Sequence, residues 1–178
     1  MPDGDMTSGG RPAPGAHRRP GDGWVECGCG RRHWGLHGAA GLLLVRRDDA
    51  GRATDVVLQH RATWSDQGGT WGLPGGAREP DETAAQAALR EAHEEAGVDA
   101  ARVAVRGEHV LHHPDWSYTT VLADLPPDAH PGATPFEPAP TDAESIEVRW
   151  VPLDEVTDRE LLPAFADAWP VLRARLEA

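Results

Sequence analysis

The stretch Gly76-Ala-Arg-Glu-Pro-Asp-Glu82-Thr-Ala-Ala-Gln-Ala-Ala-Leu-Arg90-Glu91-Ala-His-Glu94-Glu95-Ala-Gly97-Val98 decides the fold. Thr83 is a good helix N-cap, and Gln86 three residues later completes a capping box. Gly97 can take the left-handed conformation that ends a helix. The predicted helix therefore covers residues 84–96. At 100° per residue, Ala85, Ala88, Leu89, Ala92 and Ala96 share one face, and small alanines allow close packing on a sheet. Glu91, Glu94 and Glu95 lie beside that face at i, i+3 and i+4. Like charges at this spacing each cost a few tenths of a kcal/mol. They also sit near the helix C-terminus, where the dipole disfavours negative charge. A solvated acidic face is the bland reading. A hard divalent cation, coordinated by carboxylate oxygens, is the reading that turns repulsion into binding.

Outward from this helix, residues 38–45 (Gly-Ala-Ala-Gly-Leu-Leu-Leu-Val) form a continuous apolar run of strand length, as expected of a strand covered on both faces. Residues 55–60 read as its hairpin partner across a polar turn. Residues 71–76 (Trp-Gly-Leu-Pro-Gly-Gly) form a short extended piece ending in a turn. Residues 103–111 and 117–123 read as a second hairpin, and 146–151 as a last strand. Pro126, Pro127, Pro131, Pro135, Pro138 and Pro140 make residues 124–143 a long surface loop. Leu161, Leu162, Phe165, Trp169, Leu172 and Leu176 have helical spacing, interrupted at Pro170. Strands around one strong helix, with another at the end, predict an α/β fold with a mixed β-sheet sandwiched between α-helices. The expected organisation is a disordered N-terminal tail (1–23), one catalytic domain (24–157) and a C-terminal helix packing on it (158–178).

Composition narrows the function. The chain has 178 residues, 29 acids against 17 bases, a net charge of -12 and two cysteines. The length suits one domain with a real core. Two cysteines exclude a disulfide scaffold and point to a reducing compartment. No apolar run reaches the roughly 20 residues of a membrane helix. An acidic surface repels nucleic acid backbones, so duplex binding is not expected.

The segment at 76–98 resembles the box of the Nudix hydrolase family: Gly, five residues, Glu, seven residues, Arg-Glu, an apolar residue, any residue, Glu-Glu, any residue, Gly, apolar. Gly76, Glu82, Arg90, Glu91, Glu94, Glu95, Gly97 and Val98 match, with Ala92 a small occupant of an apolar position. Flanking features at 71–76 and 147–155 extend the resemblance over about residues 34–156. The resemblance implies the Nudix fold and hydrolysis of a diphosphate linkage in a nucleoside diphosphate linked to a moiety X, with Mg²⁺ or Mn²⁺. It gives Glu94 and Glu95 as metal ligands, Glu91 as ligand or base, and the Gly76 carbonyl as a further ligand. Arg90 and Glu82 would pair near the site, and Gly75 with Gly76 would admit phosphate. It further implies a cytoplasmic enzyme with a small nucleotide partner, and leaves a homodimer open. The first expectation for substrate is a (modified) nucleoside triphosphate. The alternatives are an ADP-ribose or nucleotide-sugar pyrophosphatase and a nucleotide-binding sensor without turnover; a diphosphate isomerase of the same fold ranks last.

Weaker signals are weighed the same way. Family members often add a carboxylate from outside the box, and Glu144 and Glu147 are candidates beside the reading as surface acids. Trp64 and Trp116 lie in polar loop and turn segments and are the candidates for stacking on a base. Pro114 stands about 16 residues past the box, where ADP-ribose enzymes carry a proline, but without their surrounding residues. Cys27-Gly-Cys29 with His33 and His37 has the residue types of a zinc knuckle, yet the CxC spacing is tight and no second CxxC follows. His109, His112 and His113 read as solvated turn histidines.

Overall fold

The structure, a computed structural model, describes residues 18–127 and 132–178. The strands are β1 (Trp24–Glu26), β2 (Arg32–Trp34), β3 (Ala39–Arg47), β4 (Ala53–Arg61), β5 (Trp71–Gly72), β6 (Gly75–Ala77), β7 (Ala104–His112), β8 (Ser117–Asp124) and β9 (Ser145–Pro152). The helices are α1 (Ala84–Ala96) and α2 (Pro163–Glu177). A mixed sheet runs β5-β4-β3-β8-β7, with β6 added to β3 and β9 to β4; β3 and β8 are parallel. The β1–β2 hairpin stands apart as its own small sheet.

The apolar run at 38–45 becomes the central strand β3, buried from Ala39 to Val45. Its alternate side chains serve two cores. Ala40, Leu42 and Leu44 meet the alanines of α1, with Val57, Val121 and Trp150. Leu43 and Val45 meet Phe165, Trp169, Leu172 and Leu176 of α2. The sheet is therefore covered on both faces by helices, the layering expected from the sequence.

Four local expectations need correction. Residues 18–23, assigned to the tail, are held to the domain by backbone bonds and an ion pair, not by apolar burial. Leu36 N–H donates to the Gly21 carbonyl at 2.9 Å, Gly35 N–H to Gly23 at 2.7 Å, and Arg19 meets Glu94 at 2.5 Å. Residues 1–17 of the predicted tail, and Pro131 of the predicted loop, lie outside the described residues. Pro170 does not interrupt α2, which runs through it. Only the Ala166 carbonyl loses a donor there, and Ala166 and Pro170 both face water. The β1–β2 hairpin was not foreseen; three-residue strands are too short to show a period. Finally, the buried stripe of α1 is Ala84, Ala87, Ala88, Ala92 and Ala96, with Ala85 and Leu89 only partly covered. The helix is rotated so that Glu91 and Glu95 turn inward.

Candidate active site

Helix α1 starts and stops as its sequence dictates. Gln86 N–H donates to the Thr83 hydroxyl at 3.1 Å, and Thr83 N–H to the Gln86 carbonyl oxygen at 2.9 Å. Gly97 closes it at φ 71°. This fixes the phase that aims two glutamates at β6.

There the backbone comes unusually close. Gly75 and Gly76 pair with Gly41 and Ala40 of β3. A Cβ on Gly75 would lie 2.5 Å from the Ala40 carbonyl oxygen, and one on Gly76 would lie 2.8 Å from the Glu91 carboxylate. The Glu95 carboxylate, 4% exposed, accepts the Gly75 N–H at 2.8 Å. Burial, reinforced by the Glu91 charge, holds the Glu95 carboxyl well above the ordinary glutamate range, against the pull of that hydrogen bond. Burial likewise raises Glu91, although Arg90 opposes it. Glu94 sits at the rim with Arg19 at 2.5 Å and Arg90 at 3.6 Å.

Arg90 ties these parts together. Its Nε and Nη2 donate to the two Glu82 oxygens at 2.6 and 2.8 Å, its Nη1 to Glu91 at 2.6 Å, and Nη2 also to the Ala77 carbonyl at 3.0 Å. A guanidinium fork is the group that can hold a bidentate carboxylate and still reach two other acceptors. The loop 78–82 is thereby locked to the helix.

A second cluster comes from the chain before β9. Carboxylate oxygens of Glu95, Asp142 and Glu144 all lie within 4.8 Å of one another. Asp142 and Glu144 are exposed, yet partial desolvation by their neighbours raises both carboxyls above their ordinary values. Thr141 reinforces the approach: its hydroxyl donates to the Glu94 carbonyl and its N–H to that of Glu95 at 3.3 Å. Of the two candidates outside the box, Glu144 joins the cluster. Glu147 instead pairs with Arg149 at 3.3 Å, opposite His60. Asp142 was missed, because nothing in a proline-rich loop marks one acid over another.

The two tryptophans separate. Trp64 is 48% exposed, in a loop tied to the cluster by Ala62 N–H donating to the Glu144 carbonyl at 2.8 Å. Trp116 is engaged elsewhere. It stacks on His33 with centroids 4.4 Å apart, and its indole N–H donates to Gly35 at 3.1 Å. Between Trp116 and the carboxylates stands Tyr118, whose hydroxyl is raised by burial and by Glu95. Gln59 is a residue the sequence did not single out. It is 1% exposed, donates to the Ser145 hydroxyl at 2.8 Å, and its own carbonyl oxygen has no partner among the described residues. A lone Gln in a strand gives no signal of this.

Carboxylate oxygens clustered against like charge, buried at Glu95 and exposed at Asp142 and Glu144, are the donor set of a hard divalent cation such as Mg²⁺ or Mn²⁺. Without one, Glu95 carries the cost of a buried carboxylate crowded by like charges. The residues present therefore fit such an ion.

The NUDIX domain model matches residues 35–174. The chain belongs to the Nudix hydrolase family. It is 50% identical over 160 residues to a Bifidobacterium longum nucleoside triphosphate pyrophosphatase/Nudix hydrolase fusion protein, covering 89% of this chain and 32% of the relative. It is 48% identical over 163 residues to a Mycobacterium tuberculosis relative named "Putative 8-oxo-dGTP diphosphatase 3", covering 88% of this chain and 70% of that one. The chain thus spans about a third of the fusion protein's length. Among solved structures, a Nudix hydrolase from M. smegmatis, RenU, aligns with a TM-score of 0.73 at 48% identity, over 86% of this chain and 94% of that one.

Proposed function

We propose that this chain is a cytoplasmic pyrophosphohydrolase that cleaves a diphosphate linkage in a nucleoside triphosphate, with a modified base such as that of 8-oxo-dGTP as the first candidate. One observation carries the reading: Glu95, buried, and Glu91, half-buried, lie directly behind the side-chain-free Gly75–Gly76 strand. Anionic phosphate can approach backbone there, provided the carboxylate charge is balanced. Glu91, Glu94, Glu95 and the Gly76 carbonyl would hold Mg²⁺ or Mn²⁺, and Glu144, clustered with Glu95, would join them. When bound, the ion neutralises phosphate charge and lowers the pKa of water.

The chain's own groups do the rest. Arg90, held by Glu82, fixes the Glu91 carboxylate at 2.6 Å. Glu91 has its proton affinity raised by burial, which suits a group that accepts a proton from the attacking water. The missing Cβ atoms at positions 75 and 76 leave the phosphate's path open. Exposed Trp64 can cover a base, with stacking worth about 1–3 kcal/mol. Support for the substrate class comes from the two relatives named above.

A screen of 8-oxo-dGTP, dGTP, CTP, ADP-ribose, nucleotide sugars and dinucleoside polyphosphates with Mg²⁺ tests the reading. A modified triphosphate should show the highest kcat/KM. Preference for ADP-ribose or a nucleotide sugar would move the chain to the alternative pyrophosphatase class. Binding of a nucleotide without turnover of any would make it a sensor.

A further inference from the structure

We propose that Cys27, Cys29, His33 and His113 form a structural zinc site that staples the β1–β2 hairpin to the β7–β8 turn. Their ligand atoms all lie within 4.8 Å of one another. The four come from separate stretches: the CxC turn after β1, strand β2, and the residue after β7, some eighty positions along the chain. His37, a candidate on sequence grounds, is exposed and takes no part; His113 takes its place.

The supporting geometry is that of a ligand cage. Cys29 Sγ and His33 Nε2 are 3.2 Å apart. Two sulfurs and two imidazole nitrogens on a tetrahedral zinc, at about 2.3 and 2.0 Å, would stand roughly 3.3–3.8 Å from one another. The cluster is thus within about 1.5 Å of closure, a distance that side-chain rotations cover. The frame around it is fixed. Gly28 N–H donates to Asp115 Oδ2 at 2.7 Å, binding the CxC turn to the β7–β8 turn. Cys27 N–H donates to Arg31 at 3.0 Å, and Gly30, at φ 83°, donates back to Cys27 at 2.9 Å. The His33 ring packs against both His113, at 4.3 Å, and Trp116, at 4.4 Å. Neither thiol is in a disulfide.

Chemistry selects the ion. Thiolate and imidazole are ligands of zinc, whereas Mg²⁺ takes hard oxygens. Two thiolates would also balance the zinc charge. Packing alone accounts for a stacked His-Trp pair but not for two thiols converging on two histidines. The staple would set the end of β8, where Trp116 adjoins Tyr118 and hence the carboxylate cluster. It is separate from that cluster in both position in the chain and ligand type.

The test uses the full chain, purified reduced and without chelator. Zinc should be found at about one per chain. After exchange into Co²⁺, a thiolate-to-cobalt charge-transfer band and intense tetrahedral d–d bands should appear. Cys29→Ser should abolish the charge-transfer band and His113→Gln should weaken the tetrahedral bands, while Glu95→Gln should leave both intact. Should Cys29→Ser fail to fold, the wild-type cobalt spectrum decides alone. Reduced wild type that takes up Co²⁺ without a thiolate band would overturn the proposal, since the ion would then sit on carboxylates. So would bands that survive both ligand substitutions.

Discussion

Adding one methyl group at position 75 or at position 76 should have opposite consequences. A Cβ on Gly75 would lie 2.5 Å from the Ala40 carbonyl oxygen and 2.6 Å from the Gly41 Cα, both backbone atoms of the central strand. Ordinary contact begins near 3.4 Å. Strand β6 would have to move off β3 by most of an ångström. Overpacking of this kind costs about 1–3 kcal/mol, and in a chain this long each kcal/mol lowers Tm by about 2–4 °C. Gly75→Ala should therefore melt about 2–12 °C lower. At Gly76 the obstacle is the Glu91 carboxylate, with its carbon and one oxygen at 2.8 Å and the other oxygen at 3.0 Å. That is the end of a side chain, which can withdraw by about half an ångström at a stability cost below about 1 kcal/mol. The withdrawn carboxylate is, however, the group placed to hold the cation or accept the proton. A 1 Å misplacement costs about 10²-fold in rate, so half of that should cost about 10-fold in kcat/KM. Thermal unfolding and nucleotide hydrolysis, measured on both variants, separate the two effects. Gly76→Ala with wild-type kcat/KM, or with as large a Tm loss as Gly75→Ala, would refute the assignment of Glu91 to the site.

Three further outcomes are expected. Mg²⁺ at about 100 times its Kd should stabilise the chain by about 2.7 kcal/mol, or about 5–10 °C in Tm; the combined Glu91→Gln, Glu94→Gln and Glu95→Gln variant should lose the response, and a shift retained there would place the ion elsewhere. Glu91 and Glu95 titrate above the ordinary glutamate value when folded. The folded state therefore binds more protons than the unfolded chain between the two values, and metal-free stability should fall as pH rises through that window. Glu95→Gln should flatten the slope and raise the metal-free Tm at pH 7; a lower Tm at pH 7 would contradict the buried-charge reading. Arg19 occupies the Glu94 carboxylate, both side chains being more than a third exposed. Such a pair is worth about 0.2–1 kcal/mol, so Arg19→Ala should tighten Mg²⁺ by up to about fivefold in a calorimetric titration; an unchanged Kd would mean the pair does not compete.

The parts legible in the sequence were those where local chemistry and tertiary packing agree. Thr83, Gln86 and Gly97 bound α1 because caps act through neighbouring backbone groups. The uniformly apolar residues 38–45 gave the central strand because only a strand covered on both faces needs no polar side. The rotation of α1 was less accessible. Ala84 and Ala85 are equivalent to any periodicity argument, and the choice falls to Glu95, which gains a backbone donor on Gly75 only by turning inward. Asp142 and Gln59 owe their places to β9, brought beside β4 across the long loop. His113 and the CxC turn lie far apart in sequence, so their convergence depends on the β7–β8 hairpin reaching back to residue 28. Arg19 was hidden for a related reason: a polar, glycine-rich segment is ordered by backbone bonds that composition does not register.

On this reading, Glu91 and Glu95 behind Gly75 and Gly76 direct water to phosphorus. Turnover of the preferred substrate in ¹⁸O-water, with mass spectrometry of every product, tests it most directly. One ¹⁸O should enter a phosphate-containing product and none a sugar hydroxyl, with Glu95→Gln suppressing the incorporation. Label on a sugar carbon, or conversion of substrate without any label, would contradict it.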